Sequence, residues 1–328
     1  MRSIYLNRAI AEAVRLEMEQ DPDIILLGED IINKGGGMST YLGVPEQFPD
    51  RCYDMPIAES GFAHFSTGVA LAGMRPIVDL MFSDFSALAF DAIVNAAVKH
   101  RYSTQGKKQL PITYIAANGG RGTYDGVGSG CNHSQCVENW FMNVPGIKIV
   151  MPYYPSDALG LLRSAIRDND PVLFLYHCGS LGAREKIEDV VEPIPLNHAA
   201  RILREGSDVT IVALQSMVPV AMKAAAELEG LGISAEVIDP RVLIPFDKEK
   251  VLTSLQKTGK LIIVEEAPKR GSFAGEILSV ITQEDPSLLK KPVKVLGALN
   301  SPIPSGFAEG LMMPHKEDVV AAAQALCE

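Results

Sequence analysis

Short apolar runs alternate with 3.6-residue helical stripes along most of this chain, and that alternation restricts its fold more than anything else in the sequence. Leu6, Ala9, Ile10, Ala13, Val14 and Leu16 form a helical stripe that stops at Asp21-Pro22. Ile24–Leu27 reads as a buried strand, Glu59–Ala72 as a small-residue helix closed by Gly73, and Arg75–Leu80 as a strand. Phe85–Lys99 reads as a helix, followed by strands at Ile112–Ala116 and Ile147–Met151. A helix begins at Pro155, and Pro171–Tyr176 is another strand. Between His177 and Gly206 the pattern lapses into charges and prolines, the composition of a linker. It restarts with strands at Val209–Leu214, Ser234–Ile238, Lys260–Glu265 and Val293–Leu296, alternating with helices at Val218–Leu231, Lys248–Lys257, Phe273–Ile281 and Lys316–Leu326. Strands separated by helices of this length must run parallel, with helices on both faces of the sheet. The expected fold class is α/β, with two doubly wound domains at residues 1–177 and 206–328 joined by a linker at 178–205.

The length of 328 residues agrees with two domains. A net charge of −10, from 30 Lys+Arg against 40 Asp+Glu, argues against a nucleic-acid-binding face. No run approaches the roughly 18 apolar residues of a membrane helix. Arg2, Glu12, Glu17 and Glu19 interrupt the first segment, unlike a signal or transit peptide, so a cytoplasmic chain is expected. The five cysteines are odd in number and irregularly spaced, which reads as reduced thiols; Cys131 and Cys136 lack the spacing of a zinc site.

Neither G-x-G-x-x-G, G-x-x-x-x-G-K-[ST] nor G-x-S-x-G occurs, which removes the simplest dehydrogenase, ATPase and hydrolase readings. Three segments stand out. In Asp54–Phe62 (DMPIAESGF), Glu59 opens a helix; by itself that is an acid favoured by the helix dipole. Asn118–Asn132 (NGGRGTYDGVGSGCN) precedes His133 and is rich in glycine, which suits close backbone approach to a ligand. A lone His after a loop is more often a structural neighbour. Here a strand has just ended, and ligands favour that edge of an α/β sheet. In Asp79–Phe85 (DLMFSDF), Phe82 and Phe85 are core or interface by default, or a flat wall for a heteroaromatic ring.

These segments, taken in order, resemble the β subunit of the thiamine-diphosphate-dependent decarboxylating component of 2-oxo acid dehydrogenase complexes. LLGED (Leu26–Asp30), DMPIAESGF, GVALAGMRPIVDLMFSDFS (Gly68–Ser86), NHSQ (Asn132–Gln135), PGIKIVMP (Pro145–Pro152) and SAIRDNDPVLFL (Ser164–Leu175) carry the resemblance. DPRVLIPFD (Asp239–Asp247), VEEAP (Val264–Pro268) and Pro302–Pro304 extend it nearly end to end. It implies a pyrimidine-binding domain followed by a transketolase C-terminal domain. It also implies that Glu59 contacts N1′ of the cofactor aminopyrimidine and assists removal of the thiazolium C2 proton. Phe85 matches a ring-stacking residue, Ile57 an apolar cofactor neighbour, and Glu29 an acid near the cofactor. His133 matches a histidine that assists substrate binding or acylation of a lipoyl group. A monovalent-cation site for K⁺, found in some members, falls on Ile112, Ala165, Asp168 and Asp170. The usual Asn there is Asp170 in this chain, and a solvated acidic turn is the competing reading.

The G-D-G…N-N signature for Mg²⁺ and diphosphate is absent. In the family it lies on an α subunit, so the resemblance implies an α₂β₂ enzyme with a shared cofactor and a lipoyl acyltransferase partner. The glycine-rich loop is about five residues longer than usual and carries Arg121, Tyr124 and Asp125, which leaves the acyl donor open: pyruvate, a branched-chain 2-oxo acid, acetoin or a more specialised donor. The competing readings are the C-terminal half of a split transketolase and a non-catalytic scaffold. The first usually ends this loop in D-G-x-T-H, whereas Gly130-Cys131-Asn132 precedes His133. Retention of Glu59, Phe85 and His133 argues against the second.

Overall fold

The computed structural model describes residues 1–120 and 128–328. The chain forms two compact units: Met1–Asn118 with Trp140–Leu196, and Gly119–Asn139 with Asn197–Glu328. This division departs from the expected boundaries at two places. Residues 119–139 belong with the second unit, because Gly120 N donates to Glu266 Oε1 (2.6 Å) and the Ser134 hydroxyl to Glu309 Oε2 (2.9 Å). Part of the expected linker belongs with the first: strand Arg184–Ile187 pairs antiparallel with strand Arg2–Tyr5.

In the first unit, parallel strands run in the order Lys148–Val150, Val172–His177, Thr113–Asn118, Arg75–Phe82, Ile24–Gly28 and Cys52–Asp54. Ile24–Gly28, Thr113–Asn118 and Val172–His177 are buried at every residue. Helices cover both faces of such a sheet, so its strands read as continuous apolar runs rather than alternating ones. Helix Pro155–Arg167 starts on its proline, with Asp157 in the first turn and Arg167 in the last, each charge opposing the end of the dipole beside it. It packs on helix Leu6–Gln20 through an apolar face interrupted by one buried acid. Glu17 accepts from Arg163 Nε (2.7 Å) and Arg167 Nε (2.6 Å), so its carboxylate is matched on both oxygens.

The helix expected over Phe85–Lys99 is broken up. Tight turns span Ser83–Ala87, and a wide helix with i→i+5 bonding spans Ala92–Val98. Over seven residues, the apolar spacing of a wide helix and that of an ordinary one are hard to separate in sequence.

The second unit has strands in the order Arg201–Arg204, Ala235–Asp239, Val209–Ala213, Leu261–Pro268 and Lys294–Ala298. All neighbours are parallel except the first pair, where an edge strand from the expected linker runs antiparallel. Gly206 makes that edge possible: a Cβ there would lie 2.2 Å from the carbonyl carbon of Ala235. Helix Lys316–Cys327 opens with a reciprocal cap between His315 and Asp318. Strand Gly128–Ser129 pairs antiparallel with Ser305–Gly306, which ties the glycine-rich segment to the chain's last quarter. Among the described residues no helix is long and apolar enough to cross a membrane.

Candidate active site

Three strand ends converge in the first unit. The register sets Gly28 beside both Asp54 and Asp79, so the chain segments that follow emerge together at the carboxyl edge of the sheet. Open α/β sheets bind ligands at this edge. Glu29 follows the first strand, Ile57 and Glu59 follow the second, and Phe82 to Phe85 close the third.

Glu59 is buried (4% exposed) at the first position of helix Glu59–Leu71. A carboxylate at that position benefits from the unpaired backbone N–H groups of the first turn. Glu29 is also buried, and burial raises its pKa, reinforced by the negative charges of Glu59 and then Asp30. An acid whose proton affinity is raised beside a second buried carboxyl marks this strand edge as a candidate for proton chemistry. Ile57 is 84% exposed, an apolar side chain presented outward beside this pair. Phe85 meets Phe82 edge to face, with centroids 5.9 Å apart at 82°. That contact fixes the Phe85 ring through its neighbour and suits it to stacking.

The sequence reading passed over Asp79, although it lies inside a quoted segment. It is wholly buried in the middle of its sheet, and burial, with a smaller push from Glu29, raises its pKa to about 7. Its Oδ1 accepts from Met81 N (2.9 Å), which supports the left-handed backbone of Met81 (φ 60°) and the irregular register before Phe82. Asp79 thereby shapes the turn that delivers the two phenylalanines. An acid inside an apolar strand was the available signal.

His133 lies in the second unit, half-exposed, with its N–H bonded to Gly130 O (3.2 Å) and Nδ1 3.0 Å from Asn132 Oδ1. Gly130 has φ 87°, a conformation that favours glycine. Arg121, Tyr124 and Asp125 lie outside the described residues.

The structure gathers Ile112, Ala165, Asp168 and Asp170 at one turn of the first unit. Their oxygens already have protein partners. Val172 N donates to Ile112 O (3.0 Å), the Thr113 hydroxyl to Ala165 O (3.2 Å) and Arg75 Nη2 to Asp168 O (2.8 Å). Lys148 Nζ spans both carboxylate oxygens of Asp168 (2.7 and 2.8 Å), and Arg101 pairs with Asp170. At this turn, Asp170 Oδ1 is buried without a partner among the described residues. With the two carboxylates paired to Lys148 and Arg101, the turn is neutralised by the protein itself and fits a K⁺ ion poorly.

Two family models divide the chain: the transketolase pyrimidine-binding domain matches residues 2–183 and the transketolase C-terminal domain matches 198–319. The chain is 38% identical to pyruvate dehydrogenase E1 component subunit beta-1 of Arabidopsis thaliana, over 99% of its own length and 90% of the relative's. It is 37% identical to the acetoin:2,6-dichlorophenolindophenol oxidoreductase subunit beta of Bacillus subtilis, over 98% and 96%. A solved structure described as a split gene transketolase, inactive beta4 tetramer, superposes with a TM-score of 0.79 at 26% identity, covering 99% and 98% of the two chains. A buried acid at a helix start, a phenylalanine pair and two α/β units thus belong to a transketolase-like protein. Within that class, the chain belongs to the family of β subunits of pyruvate and acetoin dehydrogenases.

Proposed function

We propose that this chain is the β half of a thiamine-diphosphate-dependent dehydrogenase that cleaves a 2-oxo acid or acetoin and passes the acyl group to a lipoyl acceptor. The observation that carries the reading is the buried Glu59 at a helix start, with Glu29 beside it in charge and Phe85 held edge-on by Phe82. When bound, thiamine diphosphate supplies a nucleophilic carbon and an electron sink for cleavage next to a carbonyl. Glu59 holds a proton at N1′ of the aminopyrimidine, which its seclusion from water strengthens. Glu29, whose own proton affinity is raised by burial and then by Glu59, supplies a second acid at the same strand edge. Phe85 and Ile57 offer apolar surface to the rings. His133 serves the acyl donor and the acceptor rather than the cofactor.

The diphosphate and its Mg²⁺ belong to an α chain in this reading. Ile57, Phe65, Leu71 and Leu88 are more than half exposed, and three of them flank or lie on the Glu59 helix. Large apolar side chains left exposed around this helix support a partner that covers them. The lipoyl acceptor would be carried by an acyltransferase component.

The test is deuterium exchange at C2 of bound cofactor in the enzyme reconstituted with its α chain. Glu59→Gln should keep the fold and slow exchange by about 10²–10⁴-fold, the usual worth of acid–base assistance. Unchanged exchange would reduce Glu59 to a helix-start acid.

A further inference from the structure

The second unit holds its own organising acid, outside every motif quoted from the sequence. Glu309 is 1% exposed, in a short turn after the Ser305–Gly306 strand. Its Oε2 accepts from the Ser134 hydroxyl (2.9 Å), next in sequence to His133. Its carboxylate also lies against two glycines. A Cβ at Gly120 would come within 2.1 Å of Oε1, and one at Gly128 within 2.2 Å of Oε2. Two further ties fix the same segment: Gly120 N donates to Glu266 Oε1 (2.6 Å), and Gly119 N donates to Gln135 O (3.0 Å). Glu266 is itself held by the Ser216 hydroxyl.

We infer that Glu309 is a positioning residue for His133: its buried carboxylate holds the Ser134 hydroxyl and packs against the Gly120 and Gly128 backbone, so that the histidine is presented to the acyl donor at one place. The inference rests on the role proposed above for His133, and deepens it. The physical argument is that a buried carboxylate must be matched, so it stays where the Ser134 hydroxyl meets it. The segment that carries Ser134 cannot drift without stranding that carboxylate. Glycine at 120 and 128 is required because the carboxylate occupies the space of a side chain. Residue 309 therefore acts on His133 through Ser134, without touching substrate.

The test has a structural and a kinetic arm, both on the full chain, the second with its α partner. In the first, hydrogen exchange is followed across residues 128–139. Glu309→Ala should speed exchange there by about tenfold or more, the worth of a lost hydrogen bond to a charged group. Glu309→Gln, which keeps an acceptor for Ser134, should recover most of the protection. Gly128→Ala should also loosen the segment, but adding it to Glu309→Ala should cost little more, because the obstructing carboxylate is gone. In the kinetic arm, Glu309→Ala should raise KM for the acyl donor or lower turnover by about tenfold, while the Kd for thiamine diphosphate stays unchanged. Unchanged exchange in Glu309→Ala, or independent costs of the two substitutions, would overturn the lock. Faster exchange with normal kinetics would overturn the positioning role. A loosened segment in an enzyme that never turns over any 2-oxo acid or acetoin would support the lock and refute the proposed function.

Discussion

At the scale of single residues, the chain puts its unusual acids where apolar side chains are expected. Asp79 and Glu265 are both buried, with burial as the main cause of pKa values raised to about 7 and about 8. In the unfolded chain these groups titrate near 4. A folded pKa above the unfolded one means the native state holds the proton more tightly. The contribution of each group to stability is therefore full below about pH 4 and is lost as pH rises toward the folded pKa. Asp79→Asn keeps the shape and removes the ionisation. Its melting temperature should fall less steeply than that of the wild type between about pH 4 and pH 7, as calorimetry at stepped pH would show. Parallel curves for the two proteins would mean that Asp79 ionises freely in the fold. Glu59 and Phe85, proposed here for the site, stand out at this scale because a family motif marks them. Asp79 could have been noticed as a charge in the run RPIVDLMF, whereas Glu309 carries no local mark at all.

Among the elements, the two helices packed across the first unit depend on one buried ion-pair group. Glu17→Ala would leave the largely buried Arg163 without its carboxylate. Breaking a buried pair from one side typically costs about 3–5 kcal/mol, so denaturant unfolding should show a loss of that size. A loss below about 1 kcal/mol would mean the pair behaves as a surface one. The turn at Asp168 and Asp170 leads to another expectation. Lys148, Arg101 and Arg75 already supply positive charge and donors there. Melting temperatures in potassium chloride and in choline chloride at equal ionic strength should coincide. A clear rise in potassium alone would show that an ion displaces Lys148. The sequence marked this turn through its acids, but the three cations come from Arg75, Arg101 and Lys148 on separate elements. Their convergence was invisible along the chain. The same holds for the strands Arg184–Ile187 and Arg201–Arg204, whose polar composition reads as linker until their partners are known.

At the scale of the whole molecule, the chain offers an acid, aromatic rings and a histidine, but no diphosphate signature. An enzyme built on it should need a second chain. Co-expression with an α chain should give a complex with the mass of an α₂β₂ tetramer, and thiamine diphosphate should bind the complex far more tightly than the β chain alone. Equal binding by the isolated β chain, measured by titration calorimetry, would contradict a shared cofactor.

The fold class was fixed by sequence alone, because hydrophobic periodicity is a local property and alternating strand and helix periods admit only parallel sheets covered by helices. Glu59, Glu29 and Phe85 could be singled out along the chain as the residues proposed here for the site, since each stands inside a quoted motif. Only the tertiary structure decided which unit owns residues 119–139, because that depends on Glu266 and Glu309 reaching back across more than 140 positions of chain. Only it showed that two glycines, Gly120 and Gly128, make room for a carboxylate rather than for a bend. Contacts of that kind follow from how buried charges find their donors in space, and sequence order does not record the pairing.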